Sequence, residues 1–490
     1  MKDDDHQTSD GHRGIPLNET THAVGERTLA WTLLDKLPTM VESLGAATLP
    51  NPQRDVRVGT YRAVESRRAV LADMDYINHF IKAGQPVPSF QEAGPREMLF
   101  FDPATVRVAI VTTGGVAPGL NRMVHAIVSR HYETYQLDPA RGGVVFGVFD
   151  GMAGLAEDEV DMIELHPDET RQWMNDGGSF LGSRREFQFK REEVARRVAE
   201  NLKKYNIQVL YIIGGDGSLG TAHDFFRLVY PHTAVIGLPK TMDNDIPWVG
   251  HSFGFSTAVH KASDLITEMY TEACATRRVC LIELFGADSG FVAANAAMAS
   301  GRAMLVLVPE MFAGYESTAE IERAFETCLE FLRDQVRHQP RTGGVVVVAE
   351  GVRKLFVKRG VKLNGKDVDN DRFVQQVATH LQKDYLFDRR NRKVSTFINR
   401  PRHQIRAIAP NAADRNYCER LGAMAVESAL AGYTGCMVSL WLNEYVLVPL
   451  ALACAKRSLA LGGLFWKQVV LSTGQPDISP RREEPPRGSV

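Results

Sequence analysis

The chain has little of what would set it apart from an ordinary globular protein. Its 490 residues hold only six cysteines: Cys274, Cys280, Cys328, Cys418, Cys436 and Cys454. None forms a CxxC-type pair, which argues against a structural zinc site. Their apolar or helical surroundings suit small buried thiols in a reducing compartment. No apolar run approaches the ~18 residues that a bilayer span requires. Neither sign of charge dominates, since the formal net charge is −2. That balance gives no argument for nucleic acid or a membrane surface as partner. The opening MKDDDHQTSDGHRG is acidic and polar, unlike a signal peptide, and cytoplasm is the expected compartment. What is present is length enough for two or three domains with ordinary cores.

The first hundred residues show no βα alternation. Helical patterns at 27–44 and 62–83 are broken by Pro- and Gly-bearing stretches, so 1–104 is expected to be a mostly helical extension with a disordered start. From Thr105 the pattern turns to strand, glycine turn and helix, repeated over about 350 residues. Long apolar strands in βα units mean parallel sheets covered on both faces. That much parallel sheet predicts an α/β fold of two doubly wound lobes with a cleft between them. The expected division is 105–255 with 407–440 for one lobe and 256–406 with 441–473 for the other. The Pro-, Arg- and Glu-rich 474–490 is expected to be a disordered tail.

Two stretches carry chemistry together. The apolar run Val209 to Ile213 ends in Gly214-Gly215-Asp216-Gly217-Ser218. The run Ala234 to Leu238 ends in Pro239-Lys240-Thr241-Met242-Asp243-Asn244-Asp245. Two strands therefore deliver two acidic loops to one sheet edge, the edge where open α/β sheets bind ligands. Glycine lets backbone approach a phosphate, and a following helix N-terminus attracts an anion. Asp216, Asp243 and Asp245 repel phosphate unless a metal ion bridges them to it or one accepts a proton from an attacking hydroxyl. Phosphoryl transfer uses all of these parts. Two further loops fit a phosphate cradle: Thr112 to Asn121, with Gly114 and Gly115, and Gly177 to Arg185. Each alone also reads as a tight βα turn, and Arg184-Arg185 as a solvated pair.

In their order along the chain, TGGVAPGLN, GGSFLGSRR, GGDGS, PKTMDNDI, FGFSTAV, LFGADSGF, VPE, AEG and His403-x-x-Arg406 make the sequence resemble the ATP-dependent 6-phosphofructokinases. The likeness spans about residues 106 to 450. The long extension and Pro-Lys before Thr241 look like the long plant and trypanosomatid type. The resemblance implies transfer of the γ-phosphoryl of ATP to the 1-hydroxyl of fructose 6-phosphate, a step of glycolysis, with Mg2+ at Asp216. It implies that Gly114, Gly115, Gly215, Gly217, Ser218 and Lys240 line the nucleotide phosphates and that Asp243 is the general base, with Thr241 and Asp245 beside it. Arg185 would stabilise the transferring phosphoryl. Phe285, Gly286 and Glu350 would face the sugar. Arg278, His403 and Arg406 would hold its existing phosphate, with Arg278 shared across a homotetramer or homodimer.

Pyrophosphate-using members of that family typically carry Asp where this chain has Gly217 and Lys where it has Lys240. Lys also accompanies ATP use in the long type, so the gap at 217 favours ATP, with pyrophosphate as the alternative donor. The chain departs from the family pattern where Phe285-Gly286-Ala287 stands in place of Met-Gly-Arg. Losing a charged donor aimed at developing charge typically costs ~10²–10³ in rate. Arg184, Arg278 and Lys240 are the candidate substitutes. The other outcomes are a different phosphorylated acceptor, or a regulatory homologue without catalysis. The run Asn399 to His403 is also unusually basic.

Overall fold

Runs such as Val209–Gly214 and Gly344–Ala349 have every residue apolar or glycine apart from one tyrosine, and every residue is buried. Such strands have no solvent face and must be covered on both sides. In the computed structural model, which describes residues 33–34, 36–53, 69–72, 77–184, 191–340, 342–383 and 386–478, they build two principal sheets.

The first sheet has nine strands. In spatial order they are Ala69–Leu71, Ser89–Glu92, Glu444–Pro449, Cys436–Trp441, Ala234–Pro239, Val209–Gly214, Arg107–Thr112, Val144–Val148 and Met162–Glu164. The five from Cys436–Trp441 to Val144–Val148 are parallel, and the outer ones are antiparallel. Alternate residues of one strand feed opposite cores. Val209, Tyr211 and Ile213 pack on one face, and Leu210 and Ile212 on the other. Each fully buried aliphatic side chain contributes about 1.5–3 kcal/mol. The second sheet is wholly parallel: Ala303–Leu307, Gly344–Ala349, Val279–Leu284 and Thr396–Asn399. The two doubly wound lobes expected from the βα pattern are therefore present.

Three strand ends stand level in the first sheet, because Thr112 pairs with Ile213 and Gly214 with Pro239. The chain reverses its direction of travel across the sheet between Arg107–Thr112 and Val209–Gly214, so loops leaving these strands diverge and open a crevice. In the second sheet Leu284 stands beside Ala349, so Phe285 and Glu350 leave from the same level.

Three elements differ from the composition-based boundaries. Glu444–Pro449 belongs to the first sheet, not to the second lobe. Leu442 and Asn443 both take positive φ, 49° and 67°, and fold the strand straight back on Cys436–Trp441 as a two-residue hairpin. Only beyond it does the chain reach the second lobe, where the Leu464–Thr473 helix packs on Ala303–Leu307. The N-terminal region, expected to be mostly helical, supplies short strands and the helix Ile77–Lys82 among its described residues. Ser89–Glu92 pairs with the edge of Glu444–Pro449, an edge whose open backbone groups take a partner whatever the local periodicity. Within 27–44, residues 27–32 and 35 lie outside the described residues, and the described remainder holds the short strand Glu42–Ser43. Within 62–83, residues 62–68 and 73–76 lie outside them, and the remainder holds the strand Ala69–Leu71 and the helix Ile77–Lys82. Finally, Gln475, placed with the tail by composition, is buried. Its amide bonds both backbone groups of Val306, at 2.8 and 3.1 Å. Residues 479–490 lie outside the described set.

Among the described residues, no helix is long and apolar enough to cross a membrane. All six cysteines are free thiols.

Candidate active site

One cavity of about 510 Å³ lies between the C-terminal edges of the two sheets. The first lobe gives it a floor made largely of backbone. Gly114 and Gly115 line it, as do Gly215, Asp216, Gly217 and Ser218. The helix Asp216–Val229 begins there, and no side chain caps its N-terminus. A Cβ on Gly217 would meet no protein atom within 4 Å, so packing does not call for glycine there, and its space belongs to the cleft.

The glycine loops are tied to one another. The Ser183 hydroxyl donates to the Gly114 carbonyl at 2.5 Å, and Thr112 to Gly182 at 2.6 Å. The Phe180 N–H donates to Asn121 Oδ1 at 2.8 Å. Lys240 is buried, and its ammonium donates to the Gly115 carbonyl. Arg184 lines the cavity while paired with Glu157 at 2.6 Å. Arg185 lies outside the described residues.

The loop after Ala234–Pro239 places the carboxylates. The Thr241 hydroxyl donates to Asp245 Oδ1 at 2.9 Å and accepts the Asp243 N–H at 3.1 Å. Asn244, at φ 55°, turns inward and accepts the Ser252 N–H at 3.0 Å. The Asp243 carboxylate is left facing the cavity with the Ala287 N–H at 3.3 Å, while the Ser289 hydroxyl bonds its carbonyl at 2.9 Å. Burial first, then the charge of Asp245, raises the Asp243 carboxyl to about 6, against the lowering effect of the Ala287 N–H. Burial and the charge of Asp216 raise Asp245 as well. A carboxylate poised near neutrality and open to a cavity suits proton acceptance.

The second lobe gives a wall of side chains. Phe285, Ala287, Asp288, Glu350 and Lys354 line the cavity, joined by Arg406. Gly286 sits beneath them at φ 140°, where a Cβ would come within 2.4 Å of the Ser289 carbonyl oxygen. Glu350 is held by Arg353 at 2.7 Å. Arg353 also lies 3.8 Å from the buried Glu283, which pairs with Arg400 at 3.1 Å. The basic run before His403 is thus engaged with Glu283. Arg406 lies over the Phe285 ring, 5.3 Å from its centroid, and donates to the Val116 carbonyl across the cleft at 3.1 Å.

Of the residues singled out in the sequence, three described ones do not line this cavity: Gly286, which lies beneath its wall, Arg278 and His403. Arg278 pairs with Glu272 at 2.9 Å and covers the Phe397 ring. His403 is exposed on the short turn Arg402–Ile405, and only Arg406 of that pair reaches the cavity. Sequence reasoning missed Lys354, whose signal is its one-turn spacing from Glu350, and Arg353. It also missed Lys456, which carries no local signal. Lys456 hydrogen-bonds Asp288 and lies 3.5 Å from Asp216. Burial works against its ammonium, but the bond to Asp288 and the charges of Asp216, Asp288 and Asp245 together raise its pKa. Glu310 is a cap: it accepts the N–H groups of Gly290 and Leu459, each at 2.9 Å.

Two lobes built on parallel strands, with a glycine-built floor and a poised carboxylate on one lobe facing a wall of side chains on the other across a cleft, define an α/β phosphotransferase. Residues 107–429 match the family model described as phosphofructokinase. The chain is 34% identical over 464 residues to an ATP-dependent 6-phosphofructokinase of Amycolatopsis methanolica, covering 89% of this chain and 94% of that protein. Among solved structures it resembles a pyrophosphate-dependent phosphofructokinase of Marinobacter aquaeolei (TM-score 0.58, 20% identity, 78% of this chain and 93% of that one). It also resembles phosphofructokinase of Saccharomyces cerevisiae (TM-score 0.56, 21% identity), covering 71% of this chain and 45% of that one. At those identities the structures speak to the fold alone. The chain belongs to the phosphofructokinase family and is a sugar-phosphate kinase.

Proposed function

We propose that the protein transfers the γ-phosphoryl of ATP to the 1-hydroxyl of fructose 6-phosphate. One observation carries the reading: a single cavity joins a glycine-built floor, with open space at Gly217, to the Asp243 carboxylate and the Glu350–Arg406 wall. The nine-stranded lobe takes the nucleotide and the four-stranded lobe the sugar phosphate. Backbone N–H groups from Gly114, Gly115 and the start of the Asp216–Val229 helix bind the phosphates, with Ser218 and Lys240 beside them. Gly217 leaves room for a nucleotide where an Asp would oppose it by bulk and like charge. Asp243 accepts the proton of the acceptor hydroxyl, oriented through Thr241 and the Ala287 N–H. Glu350, locked by Arg353, binds sugar hydroxyls, and Arg406 holds the existing phosphate.

Among the described residues no group of three or more His, Cys, Asp or Glu forms a ready-made metal cage. That donor set fits Mg2+, which is usually held by one or two carboxylates plus substrate phosphates. Asp216, at the helix start, is the residue that would hold it. Held there, Mg2+ would supply positive charge to offset that of the phosphates.

Ala287 and Phe285 favour a second reading, a same-fold kinase for another phosphorylated sugar, because they reshape the acceptor side. We propose that Arg278 and His403, off the cavity in one chain, serve a neighbouring subunit in a homodimer or homotetramer. The free thiols suit a reducing compartment, and cytoplasm is the one proposed. Initial rates with ATP and pyrophosphate against fructose 6-phosphate and other sugar phosphates test the reading. Fast turnover with ATP and fructose 6-phosphate is expected. Preference for pyrophosphate, or for another sugar phosphate, overturns the donor or the acceptor assignment.

A further inference from the structure

The cleft has a charge that the family pattern does not supply and lacks one that it does. Ala287 puts a methyl group where the pattern has a guanidinium. Of the described cations that could substitute, Arg184 and Lys240 line the cavity on the floor side, and only Lys456 reaches the neighbour of Ala287. Arg184 is paired with Glu157, Arg278 lies off the cavity against Phe397, and the Lys240 ammonium is tucked under the Gly115 carbonyl. Lys456 arrives from more than 160 residues further along the chain, on the segment that crosses from the nine-stranded lobe to the second. Its ammonium sits between Asp216 of the donor floor, 3.5 Å away, and Asp288, the neighbour of Ala287, which it hydrogen-bonds.

The flanking backbone is fixed on both lobes. The Arg457 N–H donates to the Asp245 carbonyl and the Arg457 guanidinium to the Val249 carbonyl, each at 2.7 Å. Two residues on, the Leu459 N–H donates to Glu310. The backbone that carries Lys456 thus has its position set before any ligand arrives, so that only the side chain must turn from Asp288 to a phosphoryl group.

We infer that Lys456 is a catalytic cation of this enzyme, taking over at the transferring phosphoryl the role left open by Ala287. The inference rests on the phosphoryl-transfer reading of the cleft. In the step, the acceptor oxygen bonds to the γ-phosphorus as the bond to the β–γ bridging oxygen breaks. The electron pair leaves with that oxygen on ADP, and the hydroxyl proton passes to Asp243. Lys456 keeps its proton throughout and offers N–H donors to the phosphoryl oxygens as charge shifts toward the leaving oxygen. Asp288 is the partner it exchanges for them.

The test compares Lys456→Met, Lys456→Arg and the double variant Lys456→Met/Ala287→Arg with wild type. Loss of ~10²–10³ in kcat is expected for Lys456→Met, with ADP affinity changed by less than about threefold, because the contact strengthens in the transition state. Lys456→Arg should retain most of the rate, and Ala287→Arg should restore at least about a tenth of it in the Met background. A second readout needs no turnover: tightening of ADP by fluoroaluminate, a mimic of the transferring phosphoryl, should be present in wild type and lost in Lys456→Met. Wild-type kcat in Lys456→Met, or a double variant no faster than the single, overturns the inference and leaves the proposed function standing. A wild type inert with every donor and acceptor tried overturns the proposed function. Fluoroaluminate tightening then decides Lys456 by itself: its loss in Lys456→Met supports the role, and equal tightening in both proteins refutes it.

Discussion

The two walls of the cleft are built by different physics. The floor given by the nine-stranded lobe is backbone: glycine loops stitched together by Thr112, Asn121 and Ser183, with a helix N-terminus that no side chain caps. The wall given by the four-stranded lobe is side chain: Glu350 is backed by a chain of partly buried charges, Arg353, Glu283 and Arg400, and Arg406 rests on Phe285. A backbone floor recognises any phosphate and changes little with sequence. A wall of paired charges depends on every member being present.

Four changes separate the walls, beginning with the largest effect. Asp243→Ala should lower kcat by ~10²–10⁴ while ATP still binds, because in the proposed mechanism the base serves the acceptor and not the donor. Steady-state rates with calorimetric titration of ATP check this, and full activity in the variant would remove Asp243 from the mechanism. Next, Arg353→Met leaves Glu283 and Glu350 short of a partner. A buried pair broken on one side costs about 3–5 kcal/mol, so a lower melting temperature and a higher KM for the sugar phosphate are expected. An unchanged KM would mean that the ion network supports only the fold.

On the donor side, Gly217→Asp should reduce kcat/KM for ATP by about 100-fold through bulk and like charge, with fold stability unchanged because no protein atom lies near the new Cβ. Equal rates with ATP in variant and wild type would show that the gap does not select the donor. The smallest effect is one of pH. Burial and Asp245 raise Asp243 to about 6, so its basic form is lost as pH falls through that value. Acceptor kcat/KM should then drop about tenfold per pH unit below 6. The linked stability runs the other way. A carboxyl whose pKa is raised by folding stabilises the native state most when protonated, below the unfolded value near 3.9, and that contribution fades as pH rises through 6. A rate profile without an acid limb near 6 would assign the proton elsewhere.

The parts of the site legible in the sequence were those whose meaning is local. A strand ending in Gly-Gly-Asp-Gly-Ser announces a turn, a helix start and a ligand edge within a few residues, because φ, ψ and hydrogen bonding there depend on nearest neighbours. Asp243 and Asp245 were readable for the same reason. The hairpin at Leu442-Asn443 was not, since neither residue is a glycine and the turn is held by the strands it joins. The burial of Gln475 was also hidden, because a polar residue in a polar stretch gives no hint of a waiting sheet edge.

By itself the sequence determined two parallel-sheet lobes, the glycine loops and the carboxylate loop, all set by short-range periodicity and turn chemistry. Only the tertiary structure decided which cations reach the cleft. Arg278 and His403 turn away, Arg400 is spent on Glu283, and Lys456 crosses from the end of the chain to sit between Asp216 and Asp288. The reason is that a charge acts through distance in space. Those distances are fixed by packing two lobes together and not by any spacing along the chain.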